Sequence, residues 1–424
     1  MNFLKISPPI AIIGLGISGE SALNLLLSAG IPRSQIATFD EKAPADFNDP
    51  SKLIAAFSPK TLVVSPGVPL KKPWIRDFIN RGGEITSELS LACQVLTTER
   101  VIGITGSLGK STVASILQAG LNSFSDCGFV GGNLGTPLSM YAAHLQRGAK
   151  RADWVVLELS SYNLENCQGL DCDFGAITYL TPNHLERYRD LTEYYDTKWW
   201  LSKITKDTLF LNKYGGDLEA YSKTKKTTIA VEFSDPTDTQ LQPLNLNESK
   251  LLGNHNRENI ALACRIALQA NWPITAIKAM KDFPGLSHRV ENIGTFKGVL
   301  YVNDSKATTM RSVLTAASSL RGDVRGTIHL LVGGRDKALP WHELTELNLL
   351  RPIKFYFFGE SRSVARTKSG LDGVEYSHLK QAVEAAESSA IAGDLVLLSP
   401  GGTSLDEFKN FEDRGNFFRS LVQK

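Results

Sequence analysis

The 424-residue chain has little of what would assign it to a class at once. Its cysteines number five: Cys93, Cys127, Cys167, Cys172 and Cys264. The count is odd and none forms Cys-x-x-Cys, so they read as small, buried, reduced residues rather than a disulfide framework or a zinc site. Neither sign of charge is in excess, since 46 Lys+Arg face 44 Asp+Glu for a formal net charge of +2. That balance argues against a nucleic-acid partner held by bulk electrostatics, and leaves room for a local basic pocket around a small anion. No apolar run is long enough to span a membrane. The opening "MNFLKISPPIAIIGLGISGE" puts a lysine before an apolar run. That run is short, is broken by Gly14 and Gly16, and reaches Glu20 without a clear cleavage site, unlike a signal peptide. Internal repeats and low-complexity linkers are absent too. The expectation is a cytoplasmic, monomeric protein with neither membrane nor nucleic-acid partners.

What is present is an alternation of apolar runs and amphipathic stretches. Hydrophobic residues make up 42% and charged residues 21%, as in soluble globular chains. The length suggests two to four domains. In the first segment "IAIIGLG", "IATFD" and "TLVVSPGVP" read as strands and "SGESALNLLLSAG" as a helix. The second begins near Val101 with the strand "VIGIT" and the helix "KSTVASILQAGL", whose Val113, Ile116, Leu117 and Leu121 share one face. "DWVVLELSS" and "FGAITYLTP" continue it. After "FPGLSHRVE" come "GVLYVNDS", "IHLLVGG", "KFYFFGE" and "LVLLSPGG". The stretch "SDPTDTQLQPLNLNESK" reads as a surface excursion. The polar and glycine residues gather where strands end, which is where doubly wound α/β folds bind ligands.

Two loops carry phosphate chemistry. Gly14-Leu15-Gly16-Ile17-Ser18-Gly19 is a GxGxxG turn between a strand and a helix, with Asp40 further on; alone, it predicts a dinucleotide site. The second, "GITGSLGKST", nearly matches a P-loop, but Ile104 stands where the strict pattern wants glycine. Gly106 and Gly109 still supply the close backbone approach. The following helix start offers N–H groups, Lys110 reaches a terminal phosphate, and Ser111 or Thr112 offers a hydroxyl to Mg²⁺. Two nucleotide-type loops in one chain weaken the dehydrogenase reading.

The second loop resembles the ATP loop of the Mur ligases, in which position 104 is apolar. The resemblance runs over nearly the whole chain in the family's order: "GGNLGTP", "LELSSYNLE", "TPNHLERY", "GNHNRENIALA", "GLSHRVE", "NDSKAT" and "SPGGTSLDEFKNFEDRGNFF". It implies three α/β domains. These are a Rossmann-like domain over 1–93 for a UDP-sugar, a central P-loop-type ATPase domain with a parallel sheet over 94–286, and a Rossmann-like amino-acid-binding domain over 287–424. It further implies ATP-dependent ligation of glutamate, in the D form, to UDP-N-acetylmuramoyl-L-alanine during peptidoglycan precursor synthesis. The cofactors implied are ATP and Mg²⁺, with ATP held between the central and C-terminal domains.

Residue by residue, the resemblance implies Lys110, Glu158, His184 and Lys198 as the catalytic set, with Ser111, Glu158, His184 and a carbamylated Lys198 around the metal. ATP falls to Gly106, Ser107, Gly109, Lys110, Ser111, Thr112, Asn256, Asn259, Arg289 and Asp304. The UDP-sugar falls to Gly14, Gly16, Ile17, Ser18, Asp40, Glu41, Ser65, Gly67 and Asn133. Lys306, Thr308, Lys337, Ser404 and Phe411 are implied for glutamate, whose two carboxylates suit lysines and hydroxyls. Trp199 and Trp200 read either as an apolar wall beside Lys198 or simply as core. Leu108 and Asn183 depart from the family's Asn and Asp, and "SPGGTS" departs from its usual Ser-Pro-Ala run. These departures keep open a ligase for L-glutamate or another amino acid, and a non-catalytic nucleotide-binding homologue.

Overall fold

A computed structural model describes residues 4–183 and 187–423. The described residues form three sheets. In the first, β1 (Ile10–Ile13), β2 (Ile36–Phe39), β3 (Thr61–Val64) and β4 (Glu84–Thr86) run parallel in the order β2-β1-β3-β4. In the second, β5 (Arg100–Thr105), β6 (Gly128–Gly132), β7 (Trp154–Glu158), β8 (Cys172–Ile177), β9 (Thr205–Asn212) and β10 (Ala230–Ser234) run parallel in the order β10-β9-β8-β5-β7-β6. The third contains β11 (Glu291–Phe296), β12 (Val299–Asn303), β13 (Ile328–Gly333), β14 (Ile353–Phe358), β15 (Gly373–Tyr376) and β16 (Leu395–Gly401). Its order is β11-β12-β16-β13-β14-β15, with only the β11–β12 pair antiparallel.

The strand runs are short and apolar without alternation because both faces are covered. Every residue of β1, β2, β3, β7 and β13 is buried, as parallel strands between helical layers require. The helix Lys110–Leu121 buries the expected face: Val113, Ile116, Leu117 and Leu121 are all 0% exposed. Each such side chain stabilises the fold by about 1.5–3 kcal/mol.

The molecule divides into two compact units, 1–244 with 258–280, and 245–257 with 281–424. The first holds two sheets because their helices share a core. Leu25 and Leu26 of the helix Ile17–Ser28 and Leu138 and Ala142 of the helix Leu138–Gln146 belong to one buried cluster. A buried Ser139 Oγ to Ser21 Oγ hydrogen bond of 2.7 Å crosses that seam, and Glu88 accepts from the Ser139 amide at 3.2 Å. The second unit contains the third sheet. The division falls inside the helix Asn254–Gln269.

All five cysteines lie outside disulfides; four are buried, as expected, but Cys127 is half-buried. The expected surface excursion contains two short 3-10 turns, Gln242–Leu244 and Leu246–Glu248.

Candidate functional site

In the second sheet the connections from β5 lead toward β7 and β6, and those from β8 lead toward β9 and β10. A crevice therefore opens between the loops after β5 and β8. The loop after β5 is the phosphate-loop candidate, and β8 determines its shape. A Cβ on Gly106 would lie 2.1 Å from Thr178 Oγ1, and Gly106 itself has φ +146°, a conformation costly for any residue with a Cβ. Ser107 is fastened to the same segment: its N–H donates to the Tyr179 carbonyl at 2.6 Å and its Oγ to the Thr181 carbonyl at 2.9 Å. So glycine is needed at 106, where the backbone passes β8, and not at 104, where buried Ile104 packs as an ordinary strand residue. The helix beginning at Lys110 has no side-chain cap at Gly109, which leaves its first N–H groups for an anion. Asn259 stands against the turn, since a Cβ on Gly109 would lie 2.8 Å from its Oδ1.

Two lysines meet on one carbonyl. Lys110 Nζ donates to Gly106 O at 2.9 Å and to Ser107 O at 3.3 Å, and Lys198 Nζ donates to the same Gly106 O at 2.9 Å. Lys198 is 2% exposed, near the end of the helix Leu191–Trp199. Burial holds its amine well below the usual lysine range, and the charge of Lys110 pushes in the same direction. The wall beside it differs from expectation. Tyr194, one turn earlier, places its ring 4.7 Å from Lys198 Nζ; Trp199 is buried against Tyr221, and Trp200 is 47% exposed.

Glu158, the last residue of β7, is 1% exposed. Asn133 Nδ2 donates to its Oε1 at 2.7 Å and the Asn133 amide to its carbonyl at 2.8 Å, whereas Glu158 Oε2 is buried with no hydrogen-bond partner among the described residues. A carboxylate oxygen held this way suits a hard cation, and Mg²⁺ needs only one or two protein carboxylates when phosphates and waters complete its shell. Buried Ser111 and half-buried Thr112 supply hydroxyls at the helix start. Among the described residues no three His, Cys, Asp or Glu side chains form a metal-binding cluster. His184 and Glu186 lie outside the described residues, and Asn183 is exposed.

A cleft of ≈ 420 Å³ opens in the same unit at the switch point of the first sheet, between the loops after β1 and β3. Gly14, Gly16, Ile17, Ser18, Asp40, Ser65, Gly67 and Asn133 all line it. Ser65 Oγ ties the two loops by donating to the Gly14 carbonyl at 2.7 Å. A Cβ on Gly19 would lie 2.0 Å from that carbonyl, whereas one on Gly16 would meet nothing within 4 Å, so of the three glycines in the GxGxxG turn Gly16 is the one facing open space. Ile17 is 68% exposed. Asp40 is taken up by the protein: one oxygen accepts from the Leu15 amide at 2.8 Å, the other from Lys42 and Ala43 at 2.8 and 2.9 Å. These amides hold its carboxyl below the usual range. Glu41 is outside the lining and forms an ion pair with Lys72.

In the second unit, Asp304, Lys306 and Thr308 follow β12, Lys337 follows β13, and Ser404 follows β16. These three strands are neighbours. Lys306 Nζ sits 4.2 Å from the ring centre of Phe411, the first residue of the helix Phe411–Val422. Lys337 is exposed and Ser404 buried; their loops are joined by Arg335 N–H to Thr403 O at 2.7 Å. Buried Asp304 accepts from Ser399 Oγ at 2.8 Å and from the Val290 amide at 3.2 Å, and burial pushes its carboxyl up to about 7. Half-buried Arg289 acts on that carboxylate through space. Asn256 donates to the Leu252 carbonyl at 2.8 Å.

Sequence reasoning missed Thr178, Tyr194 and Arg414. Thr178 follows β8 immediately, at the switch point, and Tyr194 lies four residues before Lys198 on one helix, so spacing alone was a usable signal.

Residues 104–267 match the Mur ligase middle domain. The chain is 30% identical over 455 residues to the UDP-N-acetylmuramoylalanine–D-glutamate ligase of Koribacter versatilis, covering 98% of this chain and 97% of that protein. It is 31% identical over 451 residues to the enzyme of the same name from Buchnera aphidicola, covering 100% of both. Among solved structures it resembles the MurF ligase from Thermotoga maritima in complex with ADP, with TM-score 0.58 and 17% identity, covering 86% of this chain and 95% of that one. It also resembles the UDP-N-acetylmuramate-alanine ligase of Thermotoga maritima, with TM-score 0.55 and 14% identity, covering 99% and 100%. These structural matches show the three-domain fold, and the relatives in sequence carry the finer assignment. The chain belongs to the Mur ligases, in the family of UDP-N-acetylmuramoylalanine–D-glutamate ligases.

Proposed function

We propose that this chain joins D-glutamate to the L-alanyl carboxylate of UDP-N-acetylmuramoyl-L-alanine, with ATP converted to ADP and phosphate. The observation that carries the proposal is the convergence of Lys110 and Lys198 on the Gly106 carbonyl, in the unit where Asn133 links Glu158 to the sugar-nucleotide cleft. The division into domains 1–93, 94–286 and 287–424 is part of the proposal. So is the binding of UDP-sugar by the first, ATP by the second and glutamate by the third.

In this reading the cleft at Gly16, Ile17 and Ser18 holds the UDP portion and directs the lactyl-alanine arm past Asn133. A carboxylate oxygen of the substrate attacks the γ-phosphorus of ATP as the bond to the ADP oxygen breaks. The helix N-terminus and Lys110 neutralise charge on the transferred group. Mg²⁺, held by Glu158, Ser111, His184 and carbamylated Lys198, would supply further neutralisation between the phosphates. Carbamylation requires the neutral amine, which burial of Lys198 favours. The glutamate amine then attacks the acyl carbon, and the carbon–oxygen bond to phosphate breaks. Asn256, Asn259, Arg289 and Asp304 are assigned to ATP by the family resemblance, and Lys306, Thr308, Lys337, Ser404 and Phe411 to the amino acid. Catalysis is chiefly positioning and electrostatics.

Phosphate release with UDP-N-acetylmuramoyl-L-alanine, ATP and each glutamate enantiomer tests the proposal. Release with D-glutamate, little with L-glutamate, and none from Lys110→Ala is expected. Full activity in that variant, or release with L-glutamate alone, overturns it.

A further inference from the structure

The second unit holds a buried charge that the proposed reaction leaves unused. Arg414, in the helix Phe411–Val422, is 0% exposed. Among the described residues its guanidinium bonds only neutral oxygens: Nε donates to Ser305 Oγ at 3.0 Å, Nη2 to the Ser305 carbonyl at 2.8 Å and Nη1 to the Gly402 carbonyl at 3.1 Å. Ser305 Oγ passes the link on, donating to the Phe411 carbonyl at 2.8 Å. The loop after β13 closes over the same spot, since a Cβ on Gly334 would lie 2.9 Å from Arg414 Nη1. One side chain thus touches the loops after β12, β13 and β16 and anchors the start of its own helix.

Burial lowers its pKa to about 10, so it stays charged at neutral pH, and Asp406, Glu407 and Asp304 act on it only through space. Burying a cation without an ion-pair partner is unfavourable, and an apolar residue would fill the volume at lower cost. What an apolar residue cannot reproduce is a rigid planar fork with donors aimed at two loops. Those loops present the proposed glutamate residues: Lys306 is the neighbour of Ser305, Ser404 stands two residues past Gly402, and Phe411 provides the carbonyl that Ser305 holds.

We propose that Arg414 is a positioning residue for the amino-acid substrate, fixing the spacing of Lys306, Ser404 and Phe411 without touching the ligand itself. This assignment rests on the proposed function. The test is steady-state kinetics on the full-length enzyme and its Arg414→Lys and Ser305→Ala variants, with KM determined separately for glutamate, ATP and the UDP-sugar. Lysine keeps the charge but not the fork, so Arg414→Lys is expected to raise the glutamate KM about 10-fold or more, leaving the other two within about 2-fold. Ser305→Ala removes one acceptor and is expected to move the glutamate KM the same way, by about 3-fold or more. If Arg414→Lys does not fold, Ser305→Ala decides alone. A glutamate KM that stays within about 2-fold in the folded variants, or three KM values that rise together, overturns the assignment. A wild-type enzyme with no glutamate-dependent phosphate release would bring down the proposed function and this assignment with it. Normal wild-type turnover with unmoved variants brings down this assignment alone.

Discussion

Replacing Lys198 with methionine tests the most unusual electrostatic feature of the phosphate loop. The amine is buried at 2% exposure beside Lys110, and its pKa lies well below the ordinary lysine value. In the unfolded chain it titrates near 10.4. Between the lowered folded pKa and that value, the unfolded state binds a proton that the folded state lacks, so stability rises with pH. The slope approaches about 1.4 kcal/mol per pH unit at most, or about 2 kcal/mol from pH 7.5 to 9.0. Lys198→Met removes this contribution. The difference in unfolding free energy between wild type and variant should therefore change across that window, as read by urea titration in CO₂-free buffer. Taking the difference cancels the titrating groups that do not interact with Lys198, which leaves Lys110 and Glu158 as its coupled neighbours. Bicarbonate at constant pH and ionic strength should stabilise the wild type and not the variant, because only the neutral amine can be carbamylated. Parallel pH profiles for the two proteins would refute the reasoning, since Lys198 would then carry the same charge in both states.

Gly106→Ala would put a Cβ 2.1 Å from Thr178 Oγ1 at φ +146°. Backbone strain of about 1–3 kcal/mol plus the clash should displace the loop and cut phosphate release by more than about 100-fold. Thr178→Ala in the same background relieves the clash but not the strain, so it should restore thermal stability only in part; complete restoration would discount the backbone argument. Asn133→Ala removes a 2.7 Å hydrogen bond from buried Glu158, worth about 1.5–3 kcal/mol for a charged acceptor, and should slow turnover by about 10- to 150-fold. The Mg²⁺ concentration for half-maximal rate should shift with it, and an unchanged Mg²⁺ dependence would count against Glu158 as a metal ligand.

Much of the fold was legible because most strands that end in a candidate loop are largely apolar runs, as in β1, β3 and β13. Several strands that escaped reading lack that signal, since β6 is Gly-Phe-Val-Gly-Gly and β11 is nowhere buried, whereas β9 was missed although its second half is buried. Loop placement was legible where a residue sits at an open strand end, as with Ile17 and Lys110. It was not legible where a residue shapes the loop from beneath. Asp40, expected at the UDP-sugar, lines that cleft and also holds three backbone amides; Trp200, offered as a wall beside Lys198, is 47% exposed. Thr178 holds the Leu108 carbonyl and Arg414 holds Ser305, groups carried by other strands and 70 and 109 residues away in sequence. No local window contains such a pair.

Within the first unit, the two clefts are joined through one amide. Asn133 lines the cleft proposed for the sugar nucleotide while its side chain and backbone hold Glu158. Gly132 allows this approach, because any Cβ there would lie 2.4 Å from the Glu158 carbonyl. If Glu158 carries the metal, a substrate that moves Asn133 also moves the carboxylate that sets the charge at the phosphate loop. Binding of the sugar nucleotide and activation of the γ-phosphate then cannot be independent, and the coupling must be reciprocal. The UDP-sugar should tighten ATP binding by the same factor as ATP tightens the sugar, and Asn133→Ala should bring both factors toward one together.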